Sequence, residues 1–184
     1  MNTAVLVIDV QQGLCEGDGA AFETAQTIDR INQVTARARA AGRPVIFIQH
    51  ESAGGYLEHG SADWHLANGL DALPTDLRLR KTAADAFHRT TLQEVLQQHG
   101  IEALVVCGMH TEFCVDTTTR RALALGYPVT LVEDAHTSAG NAALSAPQVI
   151  AHHNLTLSNI SSFGPRVRLV TAEALRFAGM NRAL

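Results

Sequence analysis

Residues 103–134 read ALVVCGMHTEFCVDTTTRRALALGYPVTLVED. The opening "ALVVC" is continuously apolar, "VDTTTRRALALG" (115–126) has helical spacing, and "PVTLVED" (128–134) is apolar and β-branched again. Apolar run, amphipathic run, apolar run is the pattern of a strand–helix–strand unit whose strands are buried on both faces. The Gly-Met-His turn at 108–110 sets Cys114 at the mouth of the first of these strands. It is there either as a small core residue or as a nucleophile.

Outward from this unit the same alternation continues. "AVLVIDV" (4–10) and "PVIFIQH" (44–50) read as buried strands, separated by a helix over 22–42 that carries Ile28, Ile31, Val34 and Ala38 on one face and stops at Gly42. "LRLRK" (77–81) reads as a short strand and "TLQEVLQQHG" (91–100) as a helix stopped by Gly100. "LSAPQVIAHHN" (144–154) reads as a helix, "LTLSNI" (155–160) as a last strand and "AEALRFA" (172–178) as a closing helix. The pattern predicts a Rossmann-like three-layer α/β/α sandwich with a mainly parallel six-stranded sheet, formed by residues 1–184 as one domain. Residues 51–76, rich in Gly, His, Ser and Asp, have weak periodicity and are expected to form a long functional loop.

Bulk properties narrow the function. A formal net charge of −4 with scattered Lys and Arg offers no basic stripe, so nucleic acid is not an expected partner. No apolar run approaches the roughly 20 residues of a membrane span, and "MNTAVLVIDVQQG" lacks the marks of a signal peptide. Three cysteines, Cys15, Cys107 and Cys114, are an odd number without a pairing pattern. Free thiols in a reducing, cytoplasmic setting are expected.

In an open parallel sheet, ligands bind beyond the carboxyl ends of the strands. The residues there are Asp9, Gln49 and His50, Lys81, the Gly108 turn, and Glu133 with Asp134. Asp9 lies within an apolar run, where a carboxylate is costly unless paired. Gly17-Asp18-Gly19 does not complete a dinucleotide fingerprint, because Phe22 takes the third glycine's place and Gln49-His50 stand where the ribose-binding acid belongs. The nine histidines lack metal-ligand spacing, so no metal and no cofactor is expected. A helix starting near Thr111, capped by its hydroxyl, would hold Cys114 in its first turn, where free amides and the helix dipole favour thiolate. Cys107, inside its strand, reads as an inert core thiol.

Asp in "VLVIDVQ", Lys in "LRLRKTAADAF" and Cys in the G-x-x-T-x-x-C-V-x-x-T segment at 108–118, in that order, resemble the isochorismatase-like cysteine hydrolases, a family that includes nicotinamidases. The resemblance runs from about residue 3 to about 165. It implies Asp9, Lys81 and Cys114 as catalytic triad, a cis peptide between Met109 and His110, and an oxyanion hole made by the backbone N–H groups of His110 and Cys114. Lys81 would lower the Cys114 pKa and Asp9 would act as general base. The implied reaction is hydrolysis of a small amide, ureide or lactam C–N bond through a thioester. Gln11 matches a position that lines the site in family members.

The departures matter as well. The Asp-x-His metal pair of nicotinamidases is replaced by His50 and Ser52 in "FIQHESAGG", so the metal site looks lost and nicotinamide is a poor first guess. Leu14 stands where an aromatic is frequent. His50, Trp64, His110, Phe113 and His136 remain as pocket candidates; Trp64 is equally readable as loop packing and His136 as a loop-ordering residue. The pattern is closer to the metal-free, streptothricin-hydrolase-like branch. The resemblance further implies a small-molecule substrate and a homodimer or homotetramer. Two other functions stay open: an isochorismatase in the strict sense, cleaving a vinyl ether without need of Cys114, and a non-catalytic binding module on the same scaffold.

Overall fold

A computed structural model describes residues 1–177. Six strands, β1 (Thr3–Ile8), β2 (Val45–His50), β3 (Leu77–Lys81), β4 (Ala103–Met109), β5 (Val129–Thr137) and β6 (Val167–Val170), form one sheet in the order β3-β2-β1-β4-β5-β6. Every pairing is parallel. The helices are α1 (Gln12–Cys15), α2 (Thr24–Ala40), α3 (Leu92–Gln98), α4 (Asp116–Ala124) and α5 (Ala146–Asn159), with a single π-helical turn (Thr111–Val115) leading into α4.

The apolar strand runs divide by parity, because successive side chains point to opposite faces. Val5 and Val7 of β1 join Val45, Phe47 and Val105 in one core, against Ile28, Ile31, Val34 and Ala38 of α2. Ala4, Leu6 and Ile8 join Ile46, Ile48, Leu104 and Val106 in the other, against Leu92 and Leu96 of α3, Ala122 and Leu123 of α4 and Leu157 of α5. Burial on both faces is why these strands read as unbroken apolar runs rather than as alternations.

Two elements differ from expectation. "LTLSNI" is not a strand; residues 155–159 continue α5. The T-L-S alternation imitates a strand, but Val149, His153 and Leu157 fall at successive i, i+4 positions, with Val149 and Leu157 fully buried. A capping box of Ser145 and Gln148, with Pro147 in the first turn, fixes the helix start. The sixth strand is instead Val167–Val170, paired with β5. In place of the expected closing helix, residues 172–174 form a turn, and residue 178 of that segment lies outside the described residues.

The chain lays down β1, β2 and β3 in one direction and then returns to place β4 beside β1. The crevice at this reversal lies between the carboxyl ends of β1 and β4, which carry Asp9 and the 108–114 segment. Among the described residues no helix is long and apolar enough to cross a membrane.

Candidate active site

Asp9 directly follows β1 in the left-handed region, at φ 49°. Its N–H still extends the ladder by donating to the Ile48 carbonyl at 2.8 Å. Lys81 ends β3, and the alternation in LRLRK decides its direction. Arg78 and Arg80 face out, whereas Leu79 and Lys81 face in. The register pairs Lys81 with His50, so the two side chains leave neighbouring strand ends together.

The third component depends on a glycine. Gly108 has φ 122°, and a Cβ there would stand 2.0 Å from the Ile8 carbonyl oxygen, so only glycine lets β4 approach β1 this closely. The register between β4 and β5 shifts between Val106 and Gly108. Beyond that irregularity the Met109–His110 peptide is cis, as the resemblance implies, and the π-helical turn presents Cys114.

The expected capping by Thr111 does not occur. His110 is the cap residue, without a side-chain hydrogen bond, and Thr111 is fully buried within the π-helical turn. Its hydroxyl is directed at His136 Nδ1, 2.8 Å away, rather than at the helix amides.

Asp9, Lys81 and Cys114 meet. Lys81 Nζ donates to Asp9 Oδ2 at 2.6 Å, to Cys114 Sγ at 3.2 Å and to the Ala83 carbonyl at 3.0 Å, and lies 3.3 Å from His50 Nδ1. Asp9 is 1 % exposed and Lys81 is 2 % exposed, so this ion pair is dry. Asp9 Oδ1 finds no hydrogen-bond partner among the described residues. Asp9 and Cys114 line a cavity of about 280 Å³, whose wall also includes Leu14, Leu57, Ala84 and Phe113, with His50 and His110, and the buried Lys81 lies behind them.

The acidification expected from Lys81 is outweighed by burial. Burial pushes the Cys114 thiol up to about 12; the Asp9 carboxylate adds to this, and Lys81 opposes it. Desolvation exceeds the benefit of one ammonium because the neighbouring carboxylate largely offsets that ammonium's charge. Burial and the Asp9 carboxylate thus both favour the thiol form. Cys107 is fully buried and also pushed up to about 12, as an inert core thiol should be. Cys15, expected in a polar loop, instead ends α1 in the core, with its Sγ 3.7 Å from Met109 Sδ.

The remaining candidates separate. Leu14, His50 and Phe113 line the cavity. Gln11 does not: it is fully buried, its amide donates to the His50 and Trp64 carbonyls and its oxygen accepts from the His50 N–H. Gln11 thus ties the end of β2 to the 51–76 loop. Trp64 packs edge-on against His59 and His65, and its carbonyl also accepts from Gln49. It does not close the cleft. His136 faces a separate cavity of about 300 Å³ between α2 and α5, away from Cys114. Leu57 and Ala84 were missed by sequence reasoning; an isolated leucine in a Gly- and His-rich loop carries no periodic signal.

Among the described residues one group of possible metal ligands exists, with atoms of Asp9, His50 and Cys114 within 4.8 Å of one another. The Lys81 ammonium lies within hydrogen-bond reach of all three. A divalent cation there would face that charge at close range, so the donor set does not fit a metal.

The Isochorismatase domain family matches residues 3–156. A streptothricin hydrolase of Streptomyces noursei is 39% identical over 134 residues, covering 72% of this chain and 49% of its own length. The chain spans about half the length of the streptothricin hydrolases it matches. A ureidoacrylate amidohydrolase of Caulobacter vibrioides is 32% identical over 176 residues, covering 76% of this chain and 78% of its own. A crystal structure of an isochorismatase family protein superimposes with a TM-score of 0.84 at 35% identity, over 92% of this chain and 98% of that one.

Proposed function

The chain belongs to the isochorismatase family of hydrolases, and from that premise we propose that it cleaves a small amide, ureide or lactam C–N bond through a Cys114 thioester. The observation that carries this reading is the position of Lys81 Nζ, in contact with both the Asp9 carboxylate and the Cys114 sulfur, the two of which line an apolar cavity. Relatives named as hydrolases, one of them as an amidohydrolase, support it.

Asp9 Oδ1, without a partner among the described residues, takes the thiol proton as Cys114 Sγ attacks the carbonyl carbon. No resting thiolate is needed, which suits a thiol whose pKa burial has raised. The carbonyl electrons move to oxygen, and the backbone N–H groups of His110 and Cys114 are assigned to hold that oxyanion. Collapse breaks the C–N bond, and the protonated Asp9 gives its proton to the leaving nitrogen. Water then enters; Asp9 takes one of its protons, the hydroxide adds to the thioester, and the C–S bond breaks with the proton returning to sulfur. The net change is amide plus water to acid plus ammonia or amine. Lys81 keeps the Asp9 carboxylate oriented and offsets negative charge as it passes between oxygen and sulfur. The chain's own substrate within the amide class follows the cavity rather than the relatives' names.

The test is ammonia release from a panel of small amides, with intact-mass detection of an acyl adduct. Wild type is expected to show both signals, and Cys114→Ala neither. Equal ammonia release by the two proteins overturns the mechanism.

A further inference from the structure

The cavity's wall limits the charge of what enters it. Leu14 and Leu57 are nearly buried, Ala84 adds a methyl group, and Phe113, beside the nucleophile in the chain, leaves its ring 59% exposed at the mouth. Apart from Asp9 and Cys114 themselves, the polar side chains on the wall are His50 and His110. Burial lowers the pKa of both, and Lys81 lowers that of His50 further, so both imidazoles are neutral at neutral pH. His110 Nδ1 accepts from the Ala139 N–H at 3.2 Å, as a neutral ring does.

The cations nearby are engaged. Lys81 Nζ has three N–H groups facing Asp9, Cys114, the Ala83 carbonyl and His50. Arg80 points away from the cavity toward Glu51, and Arg121 toward Asp85. A substrate carboxylate placed against this wall would lose its water and gain no counter-charge, with the Asp9 carboxylate close by. An apolar acyl group would lose nothing and would cover the exposed Phe113 ring.

We propose that the site selects small uncharged amides with an apolar acyl group and rejects amides that carry a carboxylate on that group, with Phe113 setting the preference. The choice of bond rests on the hydrolase reading above; the choice of charge rests on the cavity.

Two measurements separate these layers. In the first, kcat/KM for 3-phenylpropanamide and its para-carboxylate analogue is compared by ammonia release. The neutral amide is expected to be favoured at least about tenfold, and Phe113→Arg, a change at an exposed position, to cut that preference to below about threefold. In the second, alkylation of Cys114 by neutral iodoacetamide and anionic iodoacetate is followed by mass spectrometry at about pH 9, each rate divided by that of glutathione. Iodoacetamide is expected to be favoured at least about tenfold beyond the glutathione ratio. Equal handling of the two alkylating agents, or preference for the carboxylate-bearing amide, overturns the proposal. If neither amide is hydrolysed while the alkylation ratio holds, the hydrolase reading falls and the charge preference stands.

Discussion

Two polar clusters are buried at the same end of the sheet, and they differ in completeness. Around His136 the network is closed. Asn154 donates its amide to the Glu133 carbonyl at 3.0 Å, which leaves its oxygen to accept from His136 Nε2 at 2.9 Å. His136 Nδ1 is then the acceptor for the Thr111 hydroxyl at 2.8 Å. Around Cys114 the network is open. Asp9 Oδ1 lacks a partner among the described residues, four groups share the three protons of Lys81, and the sulfur opens onto a cavity. A buried polar group without its full set of partners costs stability, and one on the wall of a cavity stands where an incoming group can complete it. The closed cluster orders the backbone that carries Cys114; the open one carries the chemistry in the function proposed above.

The sharpest break between the two clusters is in rate. Cys114→Ala is expected to lower amide turnover by at least about 10⁴-fold with a melting temperature close to wild type. Circular dichroism melts alongside ammonia release check both halves.

Next in size is the effect of removing one charge from the open cluster. Lys81→Met strands the Asp9 carboxylate in a dry site and is expected to cost about 3–5 kcal/mol in urea unfolding at neutral pH. A loss below about 1 kcal/mol would show that water reaches the pair. In the same variant the Cys114 thiol, deprived of the group that lowers its pKa, should alkylate more slowly at every pH. In wild type, with that pKa near 12, the iodoacetamide rate should keep climbing from about pH 7 to 10. A plateau near neutrality would mean a resting thiolate.

The closed cluster gives an acid-side signature. Burial holds His136 down at about 4, below the 6.5 of an unfolded chain. The unfolded state therefore binds the extra proton first, and this group's contribution is intact above about pH 6.5 and is lost as pH falls toward 4. The expected loss is about 3 kcal/mol, read as the wild-type unfolding free energy at about pH 7 minus that at about pH 4, each relative to His136→Gln. The smallest effect is expected for Thr111→Val, which keeps the shape but removes the donor to His136 Nδ1. It should cost about 1–3 kcal/mol in stability, measured by denaturant titration.

Most of the fold is legible in local pattern. The unbroken runs at 4–8, 45–48 and 103–107 announce strands covered on both faces, and helical spacing finds α2, α3 and α4. Reading failed at 155–160, where alternation over a few residues fits a strand and a half-exposed helix equally well, and only packing of Leu157 against the sheet separates them. At the site, motif order pointed to Asp9, Lys81 and Cys114, which the fold brings together, but it set Gln11 in the pocket and left Trp64 and His136 open between pocket and packing roles. Those three carry polar groups whose partners come from distant segments, so whether they face a cavity or tie a loop depends on where that loop lies.

The sequence by itself determined the alternation of buried strands with amphipathic helices, and hence the parallel sheet, because periodicity is a local property of the chain. It also determined that Gly108 and Cys114 stand six residues apart across a strand end. Only the tertiary structure decided the balance of burial and charge at the sulfur, the company of Lys81 and the scarcity of charge on the cavity wall. Charge states inside a protein are set by desolvation and by groups a few ångströms away, and both exist only once β1, β3 and β4 have brought residues 9, 81 and 114 to one point.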